Sequence, residues 1–137
     1  ALAFGRFVFE HELGEMFTAP TDVVLDDDEV VQPDLLFIRT ERVPQIVHEQ
    51  AIRGAPDLVV EVLSPSSLAR DRHRKREIYR RFGVREFWIV DLANRAIEVL
   101  VLEEGEYHLA SFAAESGAVA SRVLDGFQVD VAEVMPG

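Results

Sequence analysis

The chain has 137 residues, 48% of them hydrophobic, and a formal net charge of −11. That size and apolar share suit one domain, 1–137, with its own core, and the lack of any low-complexity tract or internal repeat argues against a disordered chain or a repeat array. The lack of cysteine excludes a disulfide framework and a thiolate metal site. With no signal peptide and no apolar run long enough to cross a bilayer, the expected location is cytoplasmic and no membrane partner is expected. The chain opens on Ala1 rather than Met, which reads as a trimmed N-terminus.

In chain order, residues 2–13 carry a helical apolar pattern (Leu2, Phe4, Phe7, Val8, Leu13). Residues 15–25 are rich in strand formers, and Asp26-Asp27-Asp28-Glu29 reads as a turn. A short apolar strand follows at 34–39. The polar stretch 40–55 holds one helical turn around Pro44 to Glu49. Gly54-Ala55-Pro56 punctuates the chain before a strand at 57–63. Ser64-Pro65-Ser66-Ser67 stops that strand and offers hydroxyl caps for a helix from 68 to 82, with Leu68, Ile78, Tyr79 and Phe82 on its apolar side. Gly83 stands where a C-terminal glycine is expected. A strand buried on both faces is predicted at 86–91, then a hairpin of 96–102 and 106–112 around Glu104-Gly105, then a weaker strand or strand-like tail at 122–131. The order describes a mixed α/β core with one helix linking strands and a C-terminal β extension.

Charge is unevenly spread. Arg70, Arg72, Arg74, Lys75, Arg76, Arg80, Arg81 and Arg85 are opposed locally only by Asp71 and Glu77. The segment is about +6 and the remainder about −17. A local basic face can bind a polyanion on an acidic protein, although a solvated helix face would read the same way.

Asp34 opens one strand and Glu61 lies near the end of the next. If the two pair antiparallel, these carboxylates sit side by side. Along the second strand Asp57, Val59, Glu61 and Leu63 share one face, and Leu58, Val60 and Val62 face the core. Glu61 therefore interrupts an apolar strand. A hard divalent cation, Mg²⁺ or Mn²⁺, is a good reason to keep a carboxylate there. Lys75 is the only lysine beside 13 arginines. Its use hints at a task for a compact ammonium that arginine does poorly. Asp71, Lys75 and Tyr79 are spaced i, i+4, i+8 along one helical stripe. The four histidines show no metal or triad spacing.

The stretch GAPDLVVEVLSPSS, then Asp71, Lys75 and Tyr79, then GVREFWIVD, with QPDLLFI upstream, resembles the Uma-two family of candidate restriction endonucleases. The resemblance runs from about residue 14 to 112. It implies a restriction-endonuclease-like PD-(D/E)xK core, a mixed central β-sheet flanked by helices. It also implies a Mg²⁺- or Mn²⁺-dependent endonuclease acting on DNA. Asp34, Glu61 and the backbone carbonyl of Val62 would hold the metal, and Lys75 would complete the catalytic set. Leu63 stands where the superfamily places its lysine, and Lys75 on the following helix matches the relocated position. Arg72, Arg74 and Arg76 would steer phosphates. Asp57, Asp71, Tyr79 and Glu12 are accessory positions, with Glu10 and Glu15 as rivals to Glu12 for a first-helix carboxylate. Asp57 is read as structural, orienting the turn after Gly54, and Tyr79 as packing under the site. By analogy such a protein works as a homodimer. The rival reading is a nuclease-fold binding or assembly module with a degenerate site, which the acidic balance and Leu63 favour.

Overall fold

A computed structural model describes residues 2–64 and 68–136. Helix α1 (Leu2–Glu10) leads to strands β1 (Gly14–Thr18), β2 (Val23–Asp26), β3 (Glu29–Val31) and β4 (Leu35–Arg39). A 3₁₀ turn at Thr40–Arg42 and helix α2 (Val43–Ile46) precede β5 (Ile52–Arg53) and β6 (Leu58–Leu63). Helix α3 (Leu68–Arg81) carries the chain to β7 (Glu86–Asp91), β8 (Ala96–Glu103) and β9 (Glu106–Ala114). Strands β10 (Ala118–Ala120) and β11 (Gln128–Asp130) and helix α4 (Val131–Val134) follow.

The main sheet runs β1-β4-β6-β7-β8-β9. All its pairings are antiparallel except β6–β7, which is parallel because α3 crosses between them. This is the mixed α/β sheet expected from the sequence. Strand β7 is buried along its whole length, as its unbroken apolar run predicts. Successive side chains serve two cores. Leu58, Val60 and Trp88 pack with α1 and the C-terminal elements, and Val59, Leu63, Phe87 and Ile89 pack with α3 and the small sheet β3-β2-β5. Glu104 and Gly105 both take positive φ, 50° and 79°. That is the two-residue turn whose twist matches a hairpin. No helix among the described residues is long and apolar enough to cross a membrane.

Three stretches differ from the sequence expectation. Residues 15–25 break at Ala19-Pro20 and supply strands to two different sheets. The polar stretch 40–55 also contains β5, which pairs in parallel with β2. The tail forms the β10–β11 hairpin, with 122–127 as its connection rather than a strand. Helix α3 ends at Arg81, and Gly83 (φ +77°) lets the Val84 amide reach back to the Tyr79 carbonyl at 3.0 Å. Of the expected hydroxyl caps, Ser66 and Ser67 lie outside the described residues, as does the side chain of Leu68.

Gly14 shows how tightly β1 sits on β4. A Cβ there would fall 2.0 Å from the Ile38 carbonyl oxygen, a backbone atom that cannot step aside alone. Gly14→Ala is expected to cost about 2–3 kcal/mol of stability, measured by urea unfolding. A change below about 0.5 kcal/mol would contradict this account.

Candidate active site

Leu35 on β4 pairs with Val60 on β6. One further step of the same register sets Asp34 opposite Glu61. Glu61 in turn pairs with Ile89 on β7, and Ile89 with Glu98 on β8. Side-by-side residues project to one face of a sheet. Asp34, Glu61, Ile89 and Glu98 thus form a row across four strands, on the face that α3 covers.

Glu61 is only 2% exposed. Lys75 Nζ donates to its Oε1 at 2.9 Å, and Tyr79 Oη donates to its Oε2 at 2.5 Å. Both donors come from α3, one turn apart, so the helix delivers them together. Burial pushes the Glu61 carboxyl above its usual range and the nearby Asp34 charge adds to this. The Tyr79 hydrogen bond and the Lys75 charge pull the other way without cancelling it. Burial and the Glu61 carboxylate push the Tyr79 phenol upward, so it remains a donor.

Asp34 is exposed. Its Oδ2 accepts the Val62 amide at 2.7 Å. Among the described residues it has no ion-pair partner, whereas Glu61 pairs with Lys75 and Glu98 with Arg72. The Val62 carbonyl points the same way as the Val62 amide, because both groups of one strand residue face the same neighbour. The Leu63 carbonyl confirms the alternation, since it accepts from Leu92 beyond the end of β7. The pairing of β4 with β6 stops at Val60, so the Val62 carbonyl points past the ladder, toward the side on which Asp34 accepts the Val62 amide. These two carboxylates and one carbonyl are hard oxygen donors that fit Mg²⁺ or Mn²⁺. No third His, Asp or Glu joins them among the described residues, so water would supply the remaining ligands.

The other sequence-derived positions fall differently. Arg72 bridges Glu98 at 2.6 Å and Asp91 at 3.1 Å, and Arg76 donates to the Tyr107 carbonyl at 3.1 Å. Both guanidinium groups lean onto the sheet, because carboxylates and a carbonyl lie beneath them; Arg74 is exposed. Asp57 is buried at the far end of β6. It accepts the Arg39 amide at 2.8 Å and pairs with Arg42 at 3.1 Å, so it ties β6 to the end of β4. Asp71 is half-buried on α3. Glu12 lies exposed beyond the C-terminal end of α1, and Arg6, not a carboxylate, shares a cavity with Asp34. That cavity, about 500 Å³, opens on the opposite face and is lined by Phe4, Arg6, Asp34, Val62, Trp88 and Val134 among others. Val62 was expected in the core, but its side chain stands 42% exposed at this cavity, past the last paired residue of β4. Asp91 and Glu98 were not singled out from the sequence. Glu98 carries the same signal as Glu61, a carboxylate interrupting an apolar strand.

The sequence profile of the Uma2 family, described as "Putative restriction endonuclease", matches residues 1–132. The chain belongs to the Uma2 family. Solved structures share the fold of this Uma2 chain. One, titled a "putative nuclease belonging to DUF820" from Anabaena variabilis ATCC 29413, superposes with a TM-score of 0.71 over 97% of this chain and 74% of that one, at 15% identity. At that identity the likeness carries the fold alone. No curated protein sequence matches this Uma2 chain.

Proposed function

We propose that this protein is a Mg²⁺- or Mn²⁺-dependent endonuclease that hydrolyses phosphodiester bonds in DNA. Membership of a family described as "Putative restriction endonuclease" supports the reaction class. The observation that carries the reading is the convergence of Lys75 and Tyr79 on the buried Glu61, across from Asp34, which lacks an ion-pair partner among the described residues. A divalent cation held by Asp34, Glu61 and the Val62 carbonyl would lower the pKa of a coordinated water and offset charge on the phosphate. Tyr79 holds one Glu61 oxygen in place. Lys75, half-buried beside the other, is placed to orient a water or to stabilise charge on the phosphate oxygens. The exposed Arg74 is placed to meet backbone phosphates.

The test is incubation with plasmid, single-stranded DNA and RNA in Mn²⁺. Asp34→Ala is expected to abolish both cleavage and Mn²⁺ uptake by calorimetry. Lys75→Ala is expected to keep Mn²⁺ uptake while cutting about 10²-fold more slowly. Full activity in the Asp34→Ala protein would end the reading. The second reading, a binding or assembly module, draws on the internal engagement of Arg72 and Arg76, which leaves the basic helix fewer cations for a polyanion. Absence of Mn²⁺ uptake by the intact protein would favour it.

A further inference from the structure

Helix α3 rests on the sheet in two different ways. Its C-terminal half is anchored by buried side chains, Ile78 and Tyr79. From Asp71 to Glu77 none of its side chains is buried. Over that stretch the described contacts with the sheet are polar: Arg72 to Asp91 and Glu98, Lys75 to Glu61, and Arg76 to the Tyr107 carbonyl. Lys75 therefore sits within Asp71–Glu77, the stretch where no side chain is buried.

Arg72 lies one turn before Lys75. Its two partners come from the last residue of β7 and from β8. Asp91 is 3% exposed and already fixed, because the Asn94 amide and side chain donate to it at 3.2 and 2.8 Å. Burial alone would raise the Asp91 carboxyl, but the Asn94 hydrogen bonds and the Arg72 charge outweigh it and hold it below its usual range. Glu98 stands in the same sheet row as Glu61, one strand beyond Ile89. The helix is thus pinned to that row at two points, with Ile89 between them. A guanidinium can reach two carboxylates at once, which an ammonium cannot do with the same geometry.

We propose that Arg72 is a positioning residue: braced between Asp91 and Glu98, it holds the start of α3 so that Lys75 meets Glu61. This assigns Arg72 a role different from the phosphate contact that its place in a basic helix suggests. The kinetic consequence rests on the nuclease reading above; the structural one does not. Small displacements of a catalytic cation are costly, so loosening this brace lowers turnover while substrate binding elsewhere is kept.

Glu98→Gln separates the two roles by sign. If Arg72 contacts phosphate, removing Glu98 frees it and tightens DNA binding. If Arg72 is a brace, Glu98→Gln and Arg72→Gln both lower kcat about tenfold or more, with KM for DNA nearly unchanged. Arg72→Lys restores part of the loss. Because Lys75 is the only lysine, protein grown with ¹³Cε-lysine gives one side-chain signal that reports on it directly. In the metal-free Arg72→Gln and Glu98→Gln proteins this signal is expected to narrow and move toward that of free lysine. Thermal unfolding of each variant checks that the fold persists, and Arg72→Lys serves if Arg72→Gln does not fold. Tighter DNA binding by Glu98→Gln, or an unmoved lysine signal in folded variants, would overturn the proposal. If the wild-type protein cleaves nothing, the nuclease reading fails, and the lysine signal still decides whether Arg72 is a brace.

Discussion

Replacing Glu86 by alanine is expected to lower the free energy of unfolding by about 3–5 kcal/mol. Glu86 opens β7 and is fully buried, yet no arginine or lysine neutralises it among the described residues. Its Oε1 accepts the amides of Arg122 and Val123 at 2.8 and 3.0 Å. Its Oε2 accepts the Trp88 indole at 2.8 Å and the Ser121 hydroxyl at 2.5 Å. One carboxylate thus satisfies four donors and ties the connection between β10 and β11 to the centre of the sheet. Alanine leaves those donors without an acceptor, and a buried unpaired donor costs about 1–3 kcal/mol. Relaxation and water entry keep the total below the simple sum. Against a domain stability of about 5–15 kcal/mol the loss is large. Trp88 is the only tryptophan, so its fluorescence during urea unfolding reports from the site of the change. A variant within 1 kcal/mol of wild type would contradict this account.

Glu61→Gln is expected to reduce cleavage by about 10³-fold or more, because an amide cannot supply the charge that the proposed cation needs. The same variant should behave differently in stability. The Glu61 carboxyl titrates above its ordinary value of 4.5, mainly because it is buried. The folded state therefore holds the proton more tightly than the unfolded chain does. The stabilising contribution is full below about pH 4.5 and is lost as pH rises through the elevated folded value. Glutamine stays neutral throughout. Metal-free Glu61→Gln should therefore lack that decline and match or exceed the wild type in stability near neutral pH. Urea unfolding of both proteins from pH 4 to pH 8 would measure it; parallel profiles would count against a strained carboxylate.

Much of this architecture is legible in the sequence, for a physical reason. Strands β4, β6 and β7 are short apolar runs closed by turn residues, and consecutive strands tend to pair, so the adjacency of Asp34 and Glu61 follows from their positions at opposite strand ends. Helix α3 is legible from the apolar spacing that buries Ile78 and Tyr79 and from Gly83. The small sheet is not: β5 has two residues, too few to show any period. Nor is the fate of Arg72 and Arg76. A guanidinium looks the same in sequence whether it meets a carboxylate or a phosphate, and the Arg72 partners lie 19 and 26 positions downstream. The position of Glu12 was also hidden, because the length of α1 does not reveal which of its ends faces the strand termini. Asp57 closes the β4–β6 pair, with Arg42 as its counter-charge, a structural place rather than one at the end proposed to face the metal.

Asp34 has an unusual outlook for an exposed carboxylate. On one side it borders the ionic row beneath α3; on the other it lines a cavity whose wall is mostly apolar, with Phe4, Val62, Trp88 and Val134, and also carries Arg6 and Glu133. Hydrocarbon on that side cannot reorient to screen a charge as water does. The attraction between unit charges 4 Å apart is about 1 kcal/mol in water and about 4 kcal/mol at an effective dielectric constant of 20. A low-polarity wall thus focuses the field of Asp34 toward the open side, where the Val62 carbonyl also points. The apolar part of that wall strengthens the charge of Asp34, the ligand proposed above, without touching the cation it would bind.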